Sequence, residues 1–152
     1  MKENPSTLDP PTNLDENEIF LPQGLVGFPN LNRMEILVDE EELPFMWLNS
    51  QEEEALSFIV VEPGGLIDNY QAQVSESDAE LLGLENGEDA VILNIATISN
   101  GPPKRITVNL PGPIVINRNT RVAKQVVIEN YEDYSARHLL YEESDEGGEA
   151  PC

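Results

Sequence analysis

The chain has 152 residues, one cysteine, one histidine and a formal charge of −21 at pH 7. That length suits a single domain able to bury about 70% of its unfolded surface. The charge argues against direct binding to nucleic acid or to an anionic membrane, since both need a basic surface. Cys152 alone makes no internal disulfide, and His138 alone leaves almost no material for a zinc site or a His-based triad. No apolar run approaches the ~18 residues that span a bilayer, and no charged-then-apolar leader opens the sequence. The expectation is a soluble, cytoplasmic protein without cofactor or metal.

Residues 1–18, with Pro5, Pro10 and Pro11 and few large apolar groups, are expected to form a flexible acidic arm. The folded domain is expected over 19–140, followed by a disordered acidic tail over 141–152. Ile19-Phe20-Leu21 opens the domain. Gly24 and Gly27, bracketed by Phe20 and Phe28, read as a turn packed on an aromatic pair, because a phosphate loop needs GxGxxG spacing or a following Lys-Ser/Thr. Residues 34–38 read as a strand ending in the acid run Asp39 to Glu42. Phe45, Met46 and Trp47 form an aromatic cluster, and Glu52, Glu53 and Glu54 follow in a polar loop.

Residues 56–61 and 70–74 read as strands. Ser77 and Glu80 have capping-box spacing before a helix over 78–82 that Gly83 ends. Asn86-Gly87 signals a tight turn. The long run 90–99 is apolar in both phases, so both of its faces should be covered. Asn100-Gly101-Pro102-Pro103 turns it back into 105–110.

The run from Thr107 to Asn117 holds two β-branched stretches around Pro111-Gly112-Pro113. Prolines have no N–H to give a ladder, so they belong at a bend, bulge or edge, and Gly112 supplies freedom for a sharp corner. Asn109 is expected to anchor that corner by bonding backbone groups the prolines leave unpaired. Residues 122–128 read as a paired strand, and Tyr131, Tyr134, Leu139 and Leu140 as a closing segment. About eight short strands, Gly/Pro turns and one short helix predict an all-β, small β-barrel-like domain.

Charge is unevenly spread. Sixteen acids and only Arg33 lie between Arg33 and Asp89, whereas 90–128 holds no acids and five bases. Such segregation predicts a polarised surface.

The run TVNLPGPIVIN with the following Gln125 resembles the C-terminal half of the flagellar assembly factor FliW family. The matching residues are Thr107, Asn109, Leu110, Pro113 and Gln125. Phe20, Gly24, Leu25, Gly27 and Phe28 match the family's F-x-x-G-L-x-G-F signature, and Pro44, Phe45 and Leu48 match its P-F-x-x-L element. The resemblance implies a β-barrel-like fold and a non-enzymatic cytoplasmic protein. It also implies two partners: flagellin, and the RNA-binding translational repressor CsrA, which such a protein antagonises to relieve repression of flagellin synthesis.

Acidic groups suit a basic RNA-binding partner, making Glu40, Glu41, Glu42, Glu52, Glu53 and Glu54 the CsrA-binding candidates. Flagellin's amphipathic segments call for apolar area, making Met46, Trp47, Tyr131 and Tyr134 the flagellin-binding candidates, with Tyr141 beside them. Two other classes compete. One is a generic acidic decoy of basic nucleic-acid-binding proteins; the other is a hydrolase built on a carboxylate pair.

Overall fold

Short β-branched runs, cut by Gly, Pro and Asn, build the strands of a computed structural model that describes residues 14–51 and 56–143. The strands are β1 (Glu18–Phe20), β2 (Arg33–Leu37), β3 (Phe45–Ser50), β4 (Ser57–Val61), β5 (Ala90–Ser99), β6 (Arg105–Val108), β7 (Ile114–Asn117), β8 (Ala123–Gln125) and β9 (His138–Glu142). One helix, α1 (Glu76–Leu82), lies between β4 and β5. All ladders are antiparallel, and β1 to β5 are neighbours in chain order. At β5 the sheet divides. Its C-terminal half pairs with β6, which pairs with β9, and its N-terminal half pairs with β7, which pairs with β8.

The curled sheet meets itself at one point. Phe20 forms a parallel bridge to Val122, and the Phe20 N–H donates to the Arg121 carbonyl at 2.9 Å. This seam is a contact and not a ladder, so the barrel is not fully closed. Period-two alternation sends Ile19, Met34, Leu48, Val60, Leu93, Ile114 and Ile116 into the enclosed core. The opposite face of the β4–β6 region is covered by Ile67, Leu110, Tyr134 and Leu140. That of β7 and β8 is covered by Leu82 of α1 and by Ala72 and Val74. The 90–99 run, expected to be covered on both faces, is covered so only over 90–96; Thr97, Ile98 and Ser99 run out into solvent at its end.

Several local expectations need correction. The N-cap of α1 is Ser75, whose hydroxyl accepts the Asp78 N–H, and not Ser77. Gly83 ends the helix in the left-handed region at φ 71°. Residues 70–74 join no ladder, because side chains stand where a strand would be. The Gln71 N–H donates to the Tyr134 hydroxyl and the Gln73 N–H to Asn130 Oδ1. Asn86 caps a 3-10 turn (Gly87–Asp89) instead of a tight hairpin turn. Phe28 packs edge-on against Phe58 at 5.6 Å, while Phe20 is buried at the seam.

The expected domain limits also shift. β1 starts at Glu18, and β9 runs on to Glu142, which pairs with Arg105 at 2.8 Å. The rest of the expected arm and tail, 1–13 and 144–152, lies outside the described residues.

Beside the seam, a carboxylate ties β1 to β2 and to the residue that follows β3. Glu18 is buried; its Oε1 accepts from Arg33 at 3.0 Å and from the Asp15 N–H at 3.1 Å, and its Oε2 accepts from Gln51 at 2.9 Å. Its carbonyl takes the Arg121 Nε–H at 3.1 Å. The Asp15 N–H first, then Arg33, hold the Glu18 carboxyl below its ordinary value of 4.5. A carboxyl with a lowered folded pKa stabilises the fold above the unfolded value, and that contribution is lost as pH falls through the folded value. Glu18→Gln is therefore expected to melt at lower temperature than the parent at pH 7, with the gap closing below about pH 4.5. Thermal melts from pH 3 to 7 check this; a gap independent of pH would contradict it.

Candidate functional site

β6 and β7 are consecutive stretches of one chain running along the same edge of β5. Leu93 pairs with Ile114 and Ala96 with Val108. Only Asn94 and Ile95 of β5 therefore face the five residues from Asn109 to Pro113, and the excess is pushed outward as a corner.

The corner is pinned by side chains. Asn94, fully buried, donates from Nδ2 to the Asn109 carbonyl at 2.9 Å and to the Tyr70 hydroxyl at 3.1 Å. The Tyr70 hydroxyl donates to the Leu110 carbonyl. Burial raises the Tyr70 pKa above 10.0, which keeps that donor protonated. Asn109 Oδ1 accepts the Gly112 N–H at 3.0 Å, so it anchors the corner as expected, through glycine's N–H rather than a proline's surroundings. Gly112 packs closely here: a Cβ there would sit 3.2 Å from Asn109 Nδ2, so any larger residue has to shift the Asn109 side chain that pins the corner.

The missing proline donors also explain why β8 is short. Val126 and Ile128 donate to the carbonyls of Pro113 and Pro111 at 2.9 and 3.1 Å, and nothing donates back. The expected strand over 122–128 is thus a ladder only over 123–125.

Gln125 ties this corner to the first glycine turn. Its Nε2 donates to the Gly112 carbonyl at 3.0 Å and its Oε1 accepts the Val26 N–H at 2.9 Å. The turn needs Gly24, at φ 68°, where a Cβ would lie 2.3 Å from the Phe28 carbonyl oxygen. Leu25 and Phe28 exchange both backbone hydrogen bonds, at 3.0 and 2.7 Å. Between turn and corner lies a groove of about 420 Å³ lined by Leu25, Val26, Phe58, Ile95, Pro111, Val126, Val127 and Tyr131. Val26 is 74% exposed, Val127 65% and Tyr131 49%, a concentration of apolar surface that the packing of a lone domain does not require.

The structure brings Gly24, Gly27, Phe28, Asn109, Leu110, Pro113 and Gln125 to this one place. Phe20 is core at the seam, and Thr107 lies in β6 opposite Thr97. Pro44 and Phe45 lie at the start of β3, paired toward Val61. Of the flagellin-binding candidates, Tyr131 lines the groove. Tyr134 is a packing residue: it stands edge-on to Tyr70 at 4.9 Å, and its hydroxyl donates to the Asn69 carbonyl at 3.1 Å. Met46 is half-buried against the enclosed core.

Trp47 is exposed on the outer surface, cross-strand from Leu37, and its indole N–H donates to Glu42 Oε1 at 3.0 Å. It therefore belongs to the same patch as Glu40, Glu41 and Glu42, which form a 3-10 turn capped by Asp39. The two candidate sets are one surface there, an acidic turn beside exposed Leu37, Val38, Leu43 and Trp47. Glu52, Glu53 and Glu54 lie outside the described residues.

Charge segregation along the sequence does not become segregation in space, because four of the five bases of 90–128 reach acidic elements. Lys124 pairs with Asp78 at 2.6 Å and Arg105 with Glu142; Arg118 donates to the Glu88 carbonyl and Arg121 to that of Glu18.

Sequence reasoning did not single out Asn94, Tyr70 or Asn117. Buried Asn117 donates to the Leu82 carbonyl at 2.8 Å and accepts the Asn119 and Thr120 N–H groups, joining α1 to the β7–β8 turn. The signal for Asn94 was present, as one amide inside an otherwise apolar run. Among the described residues no group of three His, Cys, Asp or Glu side chains is placed to hold a metal, and no helix is long and apolar enough to cross a membrane.

These features define a small all-β domain with one short helix, whose loops are clamped around an exposed apolar groove. The chain belongs to the FliW family: a family model described as FliW protein matches residues 7–140. It is 36% identical over 136 residues to the flagellar assembly factor FliW of Natranaerobius thermophilus, covering 90% of this chain and 88% of that protein. It is 35% identical over 131 residues to the factor of the same name from Thermotoga neapolitana, covering 86% and 87%. A crystal structure of the flagellar assembly factor FliW matches with a TM-score of 0.74 at 29% identity, over 85% of this chain and 89% of that one.

Gln125→Ala is expected to cost about 1 kcal/mol, a typical net hydrogen-bond contribution, and to speed amide exchange at Val26. Hydrogen-exchange NMR checks this; unchanged exchange at Val26 would mean that Gln125 does not clamp the turn.

Proposed function

We propose that this chain is a cytoplasmic flagellar assembly factor that holds flagellin and, when free, binds a CsrA-type RNA-binding repressor, relieving repression of flagellin synthesis. Family membership supports the flagellar role. The observation that carries the flagellin part is the clamped apolar groove. A protein that holds a subunit before polymerisation must cover amphipathic segments, and these need apolar area on a rigid support. The groove's two exposed valines, Val26 and Val127, contribute little to the core, and two separate motif stretches are tied together to present them.

The acidic turn beside Trp47 is assigned to the basic partner. Glu40, Glu41 and Glu42 are exposed and sit next to apolar contact area, a combination that supplies both steering and a dry contact. A generic decoy acting by charge alone is less well supported, since the bases are spread among the acids. Binding that persists at high salt separates the two readings, as exposed charges are screened over ~8 Å at physiological ionic strength.

Val26→Asp and Val127→Asp are expected to leave the melting temperature within about 2 °C and to weaken flagellin binding at least about tenfold, as loss of apolar contact does. Calorimetry paired with thermal melts checks this; retained affinity would place flagellin elsewhere. Reversing Glu40, Glu41 and Glu42 to Lys is expected to slow association with the CsrA-type partner and to flatten its salt dependence. Stopped-flow rates at low and high salt test it, and an unchanged rate at low salt would leave these acids as solvated charges.

A further inference from the structure

The N-terminal half of β5 has a second edge that no strand covers. β4 pairs with β5 only at Asn94, Ile95 and Ala96. In register, Glu62 and Pro63 would come next, opposite Leu93 and Ile92. Pro63, Gly64 and Gly65 instead peel the chain away into a turn, in which the Leu66 and Ile67 N–H groups bond the Pro63 carbonyl.

The direction of the free groups follows from the ladders. The Ile95 carbonyl accepts the Asn109 N–H, so Ile95 points its backbone toward the β6–β7 edge, as do Leu93 and Val91 by alternation. The Ile92 N–H and C=O, and the Ala90 C=O, therefore point the other way, toward the edge β4 has left. The Ala90 N–H is taken by the Gly87 carbonyl. Among the described residues, no strand pairs with Ala90 to Ile92 on that side.

These groups face a cleft of about 1010 Å³, walled by Pro63, Gly64, Gly65 and Ile67 on one side, by Leu84 to Gly87 on another and by Asn69 to Ala72 on a third. The volume is that of a short extended peptide. Its rim carries Glu62 and Glu85, both exposed, and Arg118, whose Nε is already bonded to the Glu88 carbonyl. On a chain of charge −21, that rim favours a basic occupant.

We propose that the Ala90–Ile92 edge is a strand-addition site for an extended, basic segment of a partner protein. The segment would continue the path of β4, exchanging backbone hydrogen bonds with Ile92 and the Ala90 carbonyl, with Lys or Arg side chains reaching Glu62 and Glu85. This site lies apart from the apolar groove and from the Trp47 patch, and it holds whichever partner those surfaces take.

The test is hydrogen-exchange NMR on the full chain, alone and with an acetylated, amidated (Lys-Val)4 peptide as probe. In the free protein the Ile92 amide is expected to exchange at least about tenfold faster than those of Val91 and Leu93. The probe is expected to slow it to the rate of its neighbours. A (Glu-Val)4 peptide and the fully N-methylated (Lys-Val)4 peptide are expected to have no effect, and the Glu62→Lys/Glu85→Lys double variant to bind the probe at least about tenfold more weakly. An Ile92 amide as protected as its neighbours in the free protein would overturn the proposal. So would absence of binding, equal binding of the N-methylated peptide, or protection confined to Val26 and Val127.

Discussion

Five residues opposite two is the constraint on which the rest of this structure depends. Along one edge of β5 the chain from Arg105 to Asn117 would be a single strand, but Asn109 to Pro113 must fit opposite Asn94 and Ile95. Pro111 and Pro113 cannot donate to a ladder, so the corner holds together only if side chains supply what the backbone lacks. Asn94 and Tyr70 support it from inside the sheet, Asn109 closes it on itself, and Gln125 ties it to the glycine turn. The same break divides the sheet, sending β6 to β9 and β7 to β8. What looks like a defect in a strand is the joint that sets the architecture and fixes the groove beside it.

Much of the fold was legible because pattern and environment agree. β5 is apolar in both phases and is covered on both faces as far as Ala96, and Gly83 stops α1 where a left-handed residue is needed. The misread stretches share a cause: their backbone partners are not strands. Residues 70–74 have strand composition but lie against Tyr134 and Asn130 side chains, and 126–128 lie against prolines that accept and never donate. Ser75 and Ser77 both offer hydroxyls, and only the backbone path decides which one caps α1. No local pattern carries that information.

The candidate site was legible as residues and not as a place. Gly24, Phe28, Asn109 and Gln125 were visible as motif positions, yet their meeting depends on a hydrogen bond spanning 99 residues of sequence, from Val26 to Gln125. Reading residue types alone favoured large aromatics as the apolar contact surface. Tyr131 and Trp47 are exposed, but Tyr134 is used to hold residues 69–71, and the smaller Val26 and Val127 stand further into solvent than any of them. Charge was misleading in a similar way, since a base-rich stretch of sequence is folded among acidic elements and becomes part of the packing at α1 and at the seam.

The central claim is that the clamped groove is the surface that holds flagellin, and a footprint of the complex tests it most directly. Amide exchange of the full chain with and without flagellin should show protection gained at Val26, Gly112, Val127 and Tyr131, with Leu37, Val38 and Trp47 unchanged. Protection gained at Leu37, Val38 and Trp47, with the groove unchanged, would contradict it.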